Sequence, residues 1–245
     1  MDIKTINAEK YGFRELNSEI LHSKENFLKI EKCLGQRYIG GGLSDKKITI
    51  QGTPGNALGS YLNGAEIELF GNAQDATGDT MNGGQIVIHG SSGDATGYAM
   101  RGGIIFVEGN VGYRAGIHMK AYEENLPVLV VGGCAGSFLG EYQAGGIIII
   151  LGENSNGKTP VGYFCGTGMH GGKMFIKTET APVGLPTQIK AKKATNKDLE
   201  EINKYIEKFC LHFSKNINDI MSGTFYVLTP NTKSPYKQMY VNSNL

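Results

Sequence analysis

A chain of 245 residues is long enough to bury a sizeable core, and its formal net charge of +1, with both signs mixed throughout, offers no polyanion-binding stripe and suggests no nucleic-acid partner. Its 36 glycines far exceed ordinary usage but keep no every-third-residue step, so a collagen-like rod is excluded. The longest aliphatic runs, such as Ile147 to Leu151, are too short to span a bilayer.

Met1-Asp2-Ile3-Lys4 starts no apolar signal segment, so a cytoplasmic protein is expected. Cys33, Cys134, Cys165 and Cys210 form neither a CxxC pair nor a zinc-ligand spacing, and are expected as reduced thiols.

Residues 1–45 read as a mixed cap segment, in which Arg14-Glu15-Leu16-Asn17 leads into an amphipathic stretch ending at Leu28. Residues 46–178 carry a repeat. Gly52, Gly71, Gly90 and Gly109 stand 19 residues apart, and the step returns between Gly133 and Gly152. A second column runs Gly59, Gly78, Gly97, Gly116, Gly140, Gly166, followed three residues later by Leu62, Met81, Met100, Met119, Gln143 and Met169. Its longer steps place insertions near residues 117–127 and 153–160. Each unit ends in a short strand, and seven are predicted: 47–50, 66–70, 85–89, 104–108, 128–131, 147–150 and 173–176. Residues 179–245 read as a linker, a helix over about 196–214 and an extended tail. The helix follows from Leu199, Ile202, Ile206, Phe209 and Phe213 at three- and four-residue steps behind a polar start.

A fixed period near 20 marks stacked repeats. One strand of about five residues cannot stand alone, whereas strands in parallel register share hydrogen bonds and pile like side chains into columns. The expected fold is all-β: a right-handed, single-stranded parallel β-helix of about seven coils, with glycine at the corners and the helix of 196–214 capping its open end.

At Gly35-Gln36-Arg37-Tyr38-Ile39-Gly40 and at Gly93 to Gly103 the chain resembles the C-terminal GXGXG domain of the glutamate synthase large subunit, in particular its free-standing versions. The resemblance extends over Arg14-Glu15-Leu16-Asn17 and Ser234-Pro235-Tyr236. It implies a non-catalytic structural subunit of a glutamine-hydrolysing, FMN-dependent enzyme, set between a glutaminase-type amidotransferase subunit and an FMN-binding synthase subunit. FMN and iron–sulfur clusters would then be held by the partners, with none bound by this chain. The wider superfamily also contains a subunit of formylmethanofuran dehydrogenase, the alternative setting. A stand-alone carbohydrate-active β-helix enzyme is the less favoured reading, since no acidic or basic wall repeats. A homo-oligomer is left open.

No catalytic, cofactor or metal residue is assigned. A thiol nucleophile needs a base beside it, so Cys134 or Cys165 with His118 or His170 is the pair to test, and core filling is the plainer expectation. His89, His118 and His170 lie in different columns and should not converge on a metal. Asn56, Asp75 and Asp94 share a column and should bond turn amides. The insertion from Ile117 to Pro127, with Tyr236 and Tyr240 of the tail, is the expected subunit interface.

Overall fold

A computed structural model describes residues 3–231 of the chain, which fold as one largely parallel sheet of eleven strands with few helices. The seven predicted strands are all present: β3 (Lys47–Thr53), β4 (Asn63–Phe70), β5 (Gly83–Ile88), β6 (Ile104–Val107), β7 (Val128–Val131), β8 (Ala144–Ile150) and β9 (Gly171–Lys177). Parallel pairing sets Ile48, Ile67, Ile86, Ile105, Leu129, Ile148 and Met174 side by side, so the 19-residue step is the length of chain needed to return to the next place in the ladder. Every member of that column is buried.

The ladder is longer at both ends than the glycine repeat predicts. Strands β1 (Ile3–Asn7) and β2 (Phe27–Leu34) precede it in parallel register, Ile6 beside Ile30 and Ile30 beside Ile50. Between them the chain makes a 3-10 turn (Ala8–Lys10) and helix α1 (Phe13–His22), which hide the period. A second, shorter parallel ladder links Ala73, Ser92, Val111, Ala135 and Val161 across successive repeats.

Helix α2 (Asn196–Phe213) begins at Thr195, whose hydroxyl accepts from the Asp198 amide while the Asp198 carboxylate accepts from the Thr195 amide. The two bonds satisfy amides that the first turn would otherwise leave open. The helix does not cap the open end. It lies against the sheet face, where Ile202, Tyr205, Ile206, Phe209 and Phe213 join Phe106, Val130, Ile149 and Phe175 in a second core. Burying each such side chain stabilises by roughly 1.5–3 kcal/mol, more than an end-on contact with one coil could offer. After α3 (Ile217–Met221) the end is closed by strand instead: β11 (Phe225–Pro230) pairs antiparallel with β9, and β10 (Ile189–Lys193) pairs outside it. Lys190, Lys192 and Lys193 on that outer strand discourage further pairing.

The predicted extended tail is thus strand as far as Pro230, and Tyr236 and Tyr240 lie outside the described residues. Among the described residues no helix is long and apolar enough to cross a membrane.

Candidate interaction surface

The second glycine column forms the corner at which each repeat turns back toward the sheet. Gly59, Gly78, Gly97, Gly116, Gly140 and Gly166 all have φ between 60° and 75°, and the turn is left-handed at two further positions, two residues before and two after each of them. Glycine marks only one of those outer positions. Ahead of the glycine stand Ala57, Ala76, Ala95, Arg114, Phe138 and Phe164; after it stand Tyr61, Thr80, Ala99, His118, Tyr142 and Gly168. Each non-glycine left-handed residue costs about 1–2 kcal/mol in isolation. Bonding between successive repeats offsets it: the amides of Phe138 and Tyr142 donate to the carbonyls of Tyr163 and Thr167, both at 2.8 Å.

Where these outer positions carry rings, the rings are exposed or half-buried, and those of later repeats stack on one another. Phe138 stacks on Phe164 at 4.9 Å and His118 on Tyr142 at 5.1 Å. Arg114 lays its guanidinium over Phe138 at 5.3 Å while its Nε donates to Glu141 at 3.0 Å. A Cβ at position 168 would meet the Tyr142 ring, so glycine there leaves the ring its place. Tyr163 is 81% exposed and Phe164 56%, so this ridge presents ring surface to solvent.

The cysteine–histidine pair is not assembled. Cys165 is buried against Met174, and burial pushes its thiol up to about 12, far from a thiolate at neutral pH. Cys134 points at Asn154, His170 Nδ1 donates to the Gly168 carbonyl at 3.0 Å, and His118 belongs to the ridge. His89 lies elsewhere, against Phe70 and Phe213 and bonded to Glu68 at 3.0 Å. Among the described residues no three of His, Cys, Asp and Glu are close enough to hold a metal ion.

The acidic column serves the turns. Asp75 Oδ1 accepts from the Asp94 amide at 2.9 Å, and Asp94 Oδ1 from the Tyr113 amide at 2.8 Å. Asn72 and Asn110 do the same for Ser91 and Cys134. For Asn56 it is the backbone that bonds, its carbonyl accepting from the Tyr38 amide at 3.0 Å. The 117–127 insertion folds back through a small antiparallel bridge between Tyr122 and Asn125, leaving Tyr122 exposed. The outer left-handed columns were missed because non-glycine residues occupy them. The available signal was the recurrence of alanine and aromatic residues two places either side of each glycine.

A ladder of glycine corners at a 19-residue step defines a class, and the chain belongs to it: the GXGXG motif family matches residues 26–231. Among its relatives is the uncharacterized protein MJ1350 of Methanocaldococcus jannaschii, 44% identical over 253 residues that cover 98% of this chain and 97% of the relative. A chain of the formyltransferase/hydrolase complex (FhcABCD) of Methylorubrum extorquens, solved with methylofuran, shares the fold. Its TM-score is 0.64 at 18% identity, covering 91% of this chain and 89% of that one.

Proposed function

We propose that this chain is a non-catalytic structural subunit of a larger complex: a right-handed parallel β-helix that holds partner subunits in fixed relation. The two parallel ladders, one of strands and one of bridges, support the coiled reading. The observation that carries the function is a division of labour at the corners. Polar side chains near the earlier corners, such as Asp75 and Asp94, bond amides of the next repeat, while rings at the later corners, such as His118 and Phe164, remain exposed for contact.

Within that reading, the flanking segments Arg14–Asn17 and Gly35–Gly40 favour a glutamate synthase-like complex. The chain would brace a glutaminase-type subunit against an FMN-binding synthase subunit so that ammonia passes without loss. FMN and iron–sulfur clusters would sit in those partners. The cysteines here do not fit a cluster, because Cys33 and Cys165 are packed in the main core and Cys210 in the α2 core. The fold shared with a chain of the formyltransferase/hydrolase complex favours a second reading, a structural subunit of a one-carbon enzyme complex.

Tagging the full chain in its native cells, isolating it at moderate salt and identifying the co-purifying chains by mass spectrometry separates the readings. A glutaminase and a flavoprotein in fixed ratio support the first, and formyl-transfer or hydrolase subunits the second. A chain recovered alone overturns both. Phe138→Ser with Phe164→Ser should reduce partner recovery while leaving the thermal transition of the isolated chain in place.

A further inference from the structure

Two of the segments that carry the family resemblance, Arg14–Asn17 and Gly35–Gly40, are separate in sequence and meet at the start of the ladder. Asn17 joins them: its Nδ2 donates to the Phe13 carbonyl at 2.7 Å and to the Arg37 carbonyl at 2.8 Å, tying α1 to the loop after β2. Gln36 fastens that loop from the other side, its Nε2 donating to the Ala8 carbonyl at 3.0 Å and its Oε1 accepting from the Leu34 amide at 2.7 Å. So held, α1 stands off the first two corners and leaves an open groove of about 670 Å³. Its lining is mostly apolar, with Phe13, Leu21, Tyr38 and Tyr61, and Arg14 at its rim. Leu21, Tyr38 and Tyr61 are 59%, 49% and 58% exposed.

Two arginines stand by the Phe13 ring that lines this groove. The guanidinium groups of Arg14 and Arg37 lie 5.7 Å and 5.1 Å from the centre of the Phe13 ring. Among the described residues neither is paired with a carboxylate, whereas Arg114 on the ridge is paired with Glu141. A guanidinium resting on a ring keeps its N–H donors available for a carboxylate, which it takes with two parallel bonds. An apolar trough with two such cations beside it complements a strand or helix bearing an apolar side chain next to an acid.

We propose that this groove docks an acidic segment of a partner subunit. One of its apolar side chains lies between α1 and Tyr61, and its carboxylates engage Arg14 and Arg37. This rests on the reading of the chain as a subunit of a complex, and adds where and by what chemistry one partner is held.

The test uses the complex isolated from native cells with a photoreactive benzoylphenylalanine in place of Tyr61. Irradiation should join position 61 to one peptide of a partner subunit that contains Asp or Glu. Arg14→Glu with Arg37→Glu should lower retention of that subunit at least about tenfold. Reversing the crosslinked acid to Arg should restore it. The inference is overturned if position 61 joins only to this chain, if its crosslinked peptide has no acid, or if the double reversal changes nothing. An intact complex without a crosslink from position 61 sinks this inference alone. Absence of any complex sinks the parent reading with it.

Discussion

The first half of the glycine repeat keeps the 19-residue step, the second interrupts it with two insertions, and the two are buried to different extents. In β3 and β4 charged and apolar residues alternate, as in Glu66-Ile67-Glu68-Leu69, and the charged face is open to water, with Lys47 and Glu66 paired across strands at 2.9 Å. In β7 and β8 the alternation disappears into Val128-Leu129-Val130-Val131 and Ile147-Ile148-Ile149-Ile150, and all eight are buried. The difference is α2, which covers the second half and not the first. A strand buried on both faces has no reason to alternate, so the change in pattern records where the helix lies.

The largest effect should come from breaking that cover. Phe209 is fully buried between α2 and the sheet, and Phe209→Ala should cost about 3–5 kcal/mol. Phe70, on the open half and 46% exposed, should cost no more than about 1.5 kcal/mol when replaced by Ala. Denaturant midpoints of the two variants check this, and equal losses would break the comparison. Next come the corners, which both halves share. Gly71 has φ 151°, and a Cβ there would collide with the Gly52 carbonyl, so Gly71→Ala should cost about 1–3 kcal/mol. Gly184→Ala, also left-handed but with open space around it, should cost about 1 kcal/mol in the same measurement.

A smaller effect is expected at the start of α2, where Thr195→Ala should cost about 1 kcal/mol. Its pH dependence has a definite sign. The amide and hydroxyl of Thr195 hold the Asp198 carboxyl below its ordinary value of 3.8. A carboxyl depressed on folding stabilises above its unfolded value, and that contribution is lost as pH falls through the folded one. The difference in melting temperature between the native chain and Asp198→Asn should therefore narrow as pH drops below about 4, and a widening gap would refute the assignment.

Much of the ladder was legible because its cause is local. A short strand and a corner needing positive φ repeat together, so glycine spacing reports both. The ends were not legible for the same reason. β1 and β2 are separated by α1, and β10 and β11 pair antiparallel, so neither pair keeps the period. Helix α2 was legible in extent, since apolar spacing and the Thr195–Asp198 cap are written in sequence, but its seat was not, although the unbroken runs of β7 and β8 pointed to it. At the surface, the segments of Arg14 and Arg37 were singled out by resemblance. Their meeting depends on Asn17 bridging 20 positions, a contact no spacing rule supplies.

The smallest expected effect tests how strictly the corner column must repeat. Gln143 stands where Met81, Met100, Met119 and Met169 stand in other coils, and like them it is buried. Its Nε2 donates to the carbonyls of Gly145 and Gly146 at 3.1 and 3.2 Å, while its Oε1 has no partner among the described residues. The two bonds and the unpartnered oxygen oppose each other, each worth about 1 kcal/mol, whereas methionine brings neither and fits the neighbouring coils by shape. Gln143→Met should therefore stay within about 1 kcal/mol of the native chain in a denaturant titration. A loss above about 2 kcal/mol would mean that the amide fixes the corner between the two insertions, where the 19-residue step is interrupted and packing alone no longer sets the turn.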